Sequence, residues 1–171
     1  MFGLGTGVAP FRGFMQHRER LQAQGQKLGP ATLYVGFRHE EKDYYLKDEF
    51  KRWVNAGVLS AVYPAFSHDN REQRGGKLYF ISDLISEKPK DLAQALLLDS
   101  KTTSGAQAAA DLANRVHTYY CGPALGIPET IQSAMESAVK NEKGGAKGSD
   151  EAKAFMDRMV RLEDRFHAEC F

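Results

Sequence analysis

Apolar positions along the chain switch between a helical and a strand-like spacing, the alternation that crossover helices on a parallel sheet produce. From Ala9 the spacing is helical: Pro10 suits a first turn, where its missing N–H costs nothing, and Phe11, Phe14, Met15 and Leu21 recur on one face. Gly25 and Gly29-Pro30 end that segment. The apolar run 31–37 (ATLYVGF) then reads as a buried strand. Leu46, Phe50, Trp53 and Val54 predict a second helix, with Asp43 as its cap and Gly57 in the left-handed position after its end. The run 58–66 (VLSAVYPAF) predicts a second strand, and Pro64 puts its last residues at the sheet edge or beyond the strand's end. A polar stretch, 67–76 (SHDNREQRGG), reads as a loop, and 79–98 as a helix broken near Pro89. The Ala-, Ser- and Thr-rich segment 101–114 reads as an insertion, partly helical.

The third readable strand is 116–121 (VHTYYC), stopped by Gly122-Pro123. Pro128 opens a helix on Ile127, Ile131, Met135 and Ala138; 141–148 reads as a flexible connection; Ser149 is expected to cap a last helix with Ala152, Phe155, Met156, Met159 and Leu162 on its apolar face. The fold predicted is α/β: a doubly wound, mostly parallel, Rossmann-like sheet flanked by helices. Three strands are few for such a sheet, so a fourth is expected before Gly3, truncated to Met1 and Phe2. No internal repeat is visible.

Composition narrows the function. The chain has 171 residues, enough to bury a core without a disulfide framework, and two cysteines agree with that. Twenty-three Lys plus Arg against 22 Asp plus Glu leave a net charge of +1. That balance lacks the basic surplus needed to track a phosphate backbone, so nucleic acid is not an expected partner. No apolar run approaches the roughly 20 residues of a bilayer span, and no secretory signal opens the chain. A cytoplasmic compartment is the expectation, with any signals of a parent chain lying outside this sequence.

The first motif is Gly3-Leu4-Gly5-Thr6-Gly7, between a strand end and the helix near Pro10. Backbone N–H groups and the helix dipole favour a phosphate there, and glycines let the backbone approach closely. The spacing is G-x-G-x-G, not the dinucleotide fingerprint G-x-G-x-x-G, and no Lys-Ser/Thr pair makes a P-loop. An ordinary tight turn gives the same pattern.

The continuation separates the two. GTGVAPFRGFMQHR, then YVGFR, then AFS with KLY, then YYCGPA, and an acidic residue two places before an aromatic carboxyl terminus occur in one order over nearly the whole chain. Together they resemble the NADP(H)-binding domain of the ferredoxin–NADP reductase superfamily. The nearest branch is that of the diflavin reductases, with cytochrome reductases, sulfite reductase flavoprotein and nitric oxide synthase reductase domains; fusions such as pyruvate:NADP oxidoreductase carry the same module at their carboxyl end. The resemblance implies that residues 1–171 are one NADP(H)-binding domain, a fragment of a larger flavoprotein.

By that resemblance Gly5, Thr6 and Gly7 hold the pyrophosphate of NADPH and Arg38 adds charge, although a strand-end arginine is often merely solvated. Ser67, Lys77 and Tyr79 match the positions that recognise the adenosine end: a hydroxyl and cations for the 2′-phosphate, a ring face for adenine. The match is incomplete. His68 stands where an arginine is usual and Ile81 where a polar residue is usual, leaving Arg71 and Arg74 either to supply the missing guanidinium or to lie solvated in the loop. Cys121, before Gly122 and Pro123, matches a thiol near the nicotinamide; Glu169 matches a carboxylate, usually aspartate, that helps position hydride transfer; Phe171 matches the terminal aromatic that covers the flavin ring. A frayed terminus is the competing reading for the last two. The resemblance also brings Cys121 and Cys170 near the nicotinamide, so a disulfide between them is a second expectation.

No Arg-x-Tyr-Ser/Thr flavin-barrel signature is present. FAD is therefore expected on a domain upstream in the parent chain, with FMN, or an iron–sulfur partner, receiving electrons next. Metal is not expected, since His167, Cys170 and the other histidines lack zinc-type spacing. A short-chain dehydrogenase is disfavoured because none of the seven tyrosines has a lysine four residues later. The alternative kept open is a non-catalytic nucleotide-sensing or docking module.

Overall fold

The computed structural model describes residues 1–97 and 115–171. The insertion read at 101–114 lies outside them. Five parallel strands run β1 (Phe2–Leu4), β2 (Thr32–Phe37), β3 (Ala61–Phe66), β4 (Thr118–Gly122) and β5 (Phe166–Cys170), in the spatial order β3-β2-β1-β4-β5. The chain moves outward from β1 to β3 and resumes on the other side of β1 at β4. The switch point, where open α/β sheets place ligands, therefore lies between β1 and β4.

The helices are α1 (Ala9–Ala23), α2 (Glu40–Asp43), α3 (Lys47–Asn55), α4 (Ile81–Glu87), α5 (Pro89–Leu97), α6 (Ile127–Glu142) and α7 (Ser149–Asp157). The described residues fall into two compact units. The first is Met1–Leu84 with Tyr120–Ala124 and Glu169–Phe171; the second is Ile85–Tyr119 with Leu125–Ala168.

In the first unit the strand register builds rows of side chains. Phe2 pairs with Tyr34 and Tyr120, and Tyr34 with Tyr63, so four aromatics lie side by side. The Tyr34 ring stacks on Phe2 at 5.1 Å and on Tyr63 at 4.8 Å, the cross-strand contact that stabilises a sheet. Two residues on, the row is Leu4, Gly36 and Ala65. Its small side chains leave open space at the carboxyl ends of the strands. Phe11, Met15, Phe50 and Trp53 complete the core.

Several expectations shift here. β3 is an edge strand, as Pro64 allowed, but it starts at Ala61, and Val58 and Leu59 are buried before it. The single helix read at 43–54 is two: Asp43 ends α2, accepts from the His39 N–H at 3.1 Å, and does not cap α3, whose N-cap is Leu46. Gly57 does take a positive φ of 70° after α3. Phe14 is 41% exposed, leaning edge-on against Phe11 rather than entering the core. β1 includes Gly3 and Leu4 and is hydrogen-bonded on both sides.

In the second unit α5 packs on α6 through Leu92, Ala93 and Leu96 against a face of α6 that buries Ile131, Met135 and Ala138. The connection read at 141–148 is shorter, since α6 continues to Glu142 and Gly145–Gly148 form a 3-10 turn. Ser149 is the first residue of α7, after Gly148 as N-cap, and makes no cap. A π-turn over Arg158–Leu162 changes the helical register, which keeps Met159 buried and leaves Leu162 81% exposed. Arg165, 2% exposed, donates to Glu163 at 2.8 Å and to the Val116 carbonyl at 2.8 Å, while Arg115 donates to the same carboxylate at 2.6 Å.

Candidate functional site

A cleft of about 770 Å³ opens at the carboxyl ends of β1, β2 and β3 in the first unit. Its floor is the Leu4, Gly36 and Ala65 row. Gly5 and Thr6 form one wall, Arg38 and Ser67 another, and Tyr79, Pro123 and Phe171 complete the rim.

The glycine wall is a 3-10 turn, Gly5–Val8, that runs into α1 with no side chain capping either element. Its backbone donors and the α1 dipole are thus left for a ligand. Gly5 has φ +56° and open space around its missing side chain. Gly7 is glycine for another reason: a Cβ there would meet the Cys121 carbonyl oxygen at 2.1 Å, so the turn lies directly against β4 at the switch point. Gly122 is equally hemmed in, with the Tyr120 hydroxyl 2.9 Å and Leu4 Cβ 3.0 Å from the added atom. The chain's close approaches fit a phosphate-bearing ligand laid over the turn.

At the other end Ser67 is buried, its N–H bonded to Phe37 O at 2.9 Å and its Oγ to His68 Nδ1 at 2.9 Å. The Tyr79 N–H donates to Ser67 O at 3.3 Å, which fixes the ring beside the serine. His68 and Arg71 line a second opening of about 770 Å³ within the 68–76 loop. Arg71 Nε donates to Gly76 O at 2.6 Å, and the Arg74 guanidinium lies 4.0 Å over the Tyr79 ring. Lys77 is exposed and outside the lining of both clefts, unlike its neighbour Tyr79. Ile81, where a polar residue was expected, is 2% exposed and packs toward Gly36.

Glu169 and Cys121 come together through strand register. The Phe171 N–H donates to Gly122 O at 3.2 Å and Phe171 O accepts from Ala124 N at 3.4 Å. That sets Phe171 beside Pro123 and Glu169 beside Cys121, on one face of the sheet. Cys170 falls beside Gly122 and, by strand alternation, points to the other face. Both cysteines are free, Cys121 buried and Cys170 exposed, so the expected disulfide is absent. Burial, with the Glu169 and Cys170 charges adding to it, pushes the Cys121 thiol up, keeping it protonated at neutral pH. A thiol-reactive probe is expected to label Cys170 first and Cys121 much more slowly; equal rates would contradict this arrangement. Among the described residues no three His, Cys, Asp or Glu side chains are grouped to hold a metal ion. His167 instead bonds to His117, ring nitrogen to ring nitrogen, at 3.2 Å.

Some residues at the cleft have no role among the expectations above. Arg12, on α1, lines the cleft while its Nε is held by Glu49 at 2.9 Å. Tyr45 and Phe80, 80% and 49% exposed, share the rim with Phe171 at 67%. Asp69 ties the loop after β3 to residues 39 and 40: it accepts from Glu40 N at 2.7 Å and pairs with His39 Nδ1 at 2.8 Å, which hold its carboxyl below the usual range, in that order.

Comparison with known proteins agrees with this geometry. The family model for the oxidoreductase NAD-binding domain matches residues 1–128. Methionine synthase reductase of Bos taurus is 33% identical over 147 residues, covering 84% of this chain and 19% of that protein. NADPH–cytochrome P450 reductase of Salmo trutta is 32% identical over 145 residues, 85% of this chain and 21% of that one. The same enzyme of Aspergillus niger is 29% identical over 166 residues, 96% and 21%. The chain thus spans about a fifth of the length of these relatives. With the family model, the motif order and these relatives in agreement, the chain belongs to the oxidoreductase NAD-binding domain family, as an NADP(H)-binding domain of the ferredoxin–NADP reductase superfamily in its diflavin reductase branch.

Proposed function

We propose that the chain is the NADPH-binding module of a flavin-dependent oxidoreductase. Its partner is an FAD-binding barrel of the same parent chain, with an FMN domain or an iron–sulfur protein taking the electrons next. The observation that carries the reading is that Gly5 and Thr6, Ser67 and Tyr79, and Phe171 line one cleft. These are the residues assigned to the pyrophosphate, the adenosine end and the flavin side of one extended dinucleotide.

The roles follow from the chemistry of each group. The Gly5–Val8 turn offers N–H donors to the pyrophosphate, with Arg12 and, from another wall of the cleft, Arg38 supplying charge. Ser67 and the cations of the 68–77 loop receive the 2′-phosphate, and Tyr79 gives adenine a face. When bound, NADPH supplies the hydride and the flavin accepts it. The protein orients them: Cys121 is a neutral thiol, and Glu169 beside it is a polar group for the nicotinamide edge. Phe171, exposed at the rim of the cleft, would supply the aromatic face for the flavin ring of the partner domain. A sensing or docking module would need only the phosphate end, and the Cys121–Glu169 pairing favours the catalytic reading over it.

Calorimetric titration of the chain with 2′,5′-ADP and with NAD tests the proposal. Binding of 2′,5′-ADP at least about tenfold tighter is expected, the worth of one charge-assisted contact to the extra phosphate. Equal affinity for the two overturns the 2′-phosphate site. The purified chain is expected to be colourless, and stoichiometric flavin absorbance would overturn the assignment of FAD to another domain.

A further inference from the structure

We propose that Arg74 couples adenine stacking to 2′-phosphate recognition. Its guanidinium occupies a face of Tyr79 while the site is empty, is displaced by the base, and then takes the 2′-phosphate. The inference rests on the NADPH reading of the same cleft.

The geometry begins at Tyr79. The residue is half-buried, lines the cleft, and its backbone is held beside Ser67 by the hydrogen bond at 3.3 Å. Arg74 Cζ lies 4.0 Å from the ring centroid, in the layer that a stacked base would fill. A base and the guanidinium therefore compete for one surface. This loop thus carries an internal occupant of the surface assigned to adenine.

The displaced guanidinium has little else to hold. Its one other partner among the described residues is the Asp69 carbonyl, to which Nη1 donates at 3.2 Å. The Asp69 carboxylate is already committed to His39 and to the Glu40 N–H. No other carboxylate of the described residues forms an ion pair with Arg74. Arg71 is a poorer candidate for the role, since it lines the second opening and is tied to Gly76 O. A ligand with a bare 2′-hydroxyl would expel Arg74 from Tyr79 and give it nothing in exchange. A ligand with a 2′-phosphate would offer a dianion that a planar guanidinium can grip with two hydrogen bonds. Discrimination then comes partly from penalising the wrong ligand, not only from rewarding the right one.

This device has a signature that a simple phosphate-binding arginine lacks: its removal should move two ligands in opposite directions. The experiment is calorimetric titration of the unmodified chain, Arg74→Ala and Arg74→Gln with 2′,5′-ADP and with 5′-AMP. In both variants 5′-AMP is expected to bind about two- to fivefold more tightly, the loss of one exposed cation–π contact. In both, 2′,5′-ADP is expected to bind roughly tenfold or more weakly, the loss of a charged hydrogen-bonding partner. Thermal melting checks that each variant is folded, and the Gln variant preserves side-chain length in the loop. Unchanged 5′-AMP affinity, or equal weakening of both ligands, overturns the coupling: adenine would then use another surface, or Arg74 would simply sandwich it. If the unmodified chain shows no preference for 2′,5′-ADP, the NADPH reading fails and the coupling with it; if that preference is present and the two ligands shift together, only the coupling fails.

Discussion

Gly7→Ala should destabilise the chain by on the order of 3 kcal/mol, a fall of roughly 10 °C in Tm, and should abolish nucleotide binding in whatever remains folded. The added Cβ would lie 2.1 Å from the oxygen and 2.5 Å from the carbon of the Cys121 carbonyl. Backbone is the obstacle, so no rotamer change relieves the clash; the Gly5–Val8 turn must lift away from β4, which removes the phosphate wall and shifts the thiol behind it. Gly5→Ala is the control. There the space is open and only the φ of +56° resists, so about 1 kcal/mol and a few degrees are expected. Thermal unfolding of the two variants, followed by titration with 2′,5′-ADP, checks both statements; similar effects for the two would mean that the turn is not packed on β4 as described.

The second large effect is in the other unit. Glu163→Ala should cost about 2 to 3 kcal/mol, because it removes the carboxylate that accepts charge-assisted hydrogen bonds from Arg165, a side chain 3% exposed, and from Arg115. Arg115, 17% exposed, loses the same partner. Burial alone would push the Glu163 carboxyl up; the Arg165 hydrogen bond and the charges of Arg165 and Arg115 outweigh it and hold the group below its ordinary value of 4.5. A carboxyl with a lowered folded pKa contributes its stability in full above the unfolded pKa and loses it as pH falls through the folded value. The wild-type chain is therefore expected to lose stability as pH drops below about 5. Glu163→Gln should be less stable at pH 7 and flatter across that range. Denaturant unfolding at pH 7 and pH 4 measures this, and parallel curves for the two proteins would remove Glu163 from the balance.

What the sequence made legible follows from burial. β2 and β4 lie inside the sheet, so both appear as runs rich in apolar and aromatic residues, and Pro64 allowed an edge position for β3. β5 (FHAEC) did not, because it is the opposite edge and three of its five residues are exposed; its polar residues read as an unstructured end. β1 is too short, at three residues, to show a period at all. The break between α2 and α3 and the π-turn after α7 are local departures from a 3.6-residue repeat, so a periodic reading ran straight through them. At the site, the glycine turn was visible because close backbone approach leaves a glycine signature. Glu169 was found only through its motif, since strand register, not spacing, sets it beside Cys121. Arg12 stands inside the GTGVAPFR motif without a role assigned to it, and Tyr45 had no signal, because nothing in a linear pattern says which exposed residue of a helix or loop will face a cleft formed by three strands. Lys77, expected at the adenosine end by the resemblance, is exposed and does not line the cleft that Ser67 and Tyr79 share.

The central claim is that the glycine turn and the Ser67–Tyr79 segment are the two ends of one cradle. A crystal structure of the chain with NADPH bound is the most direct measurement. The pyrophosphate is expected against the backbone of Gly5, Thr6 and Gly7, with adenine on Tyr79 and the 2′-phosphate at Ser67 in the same molecule of cofactor. A cofactor that touches the turn while its adenosine end leaves the cleft away from Ser67 and Tyr79 would contradict the claim.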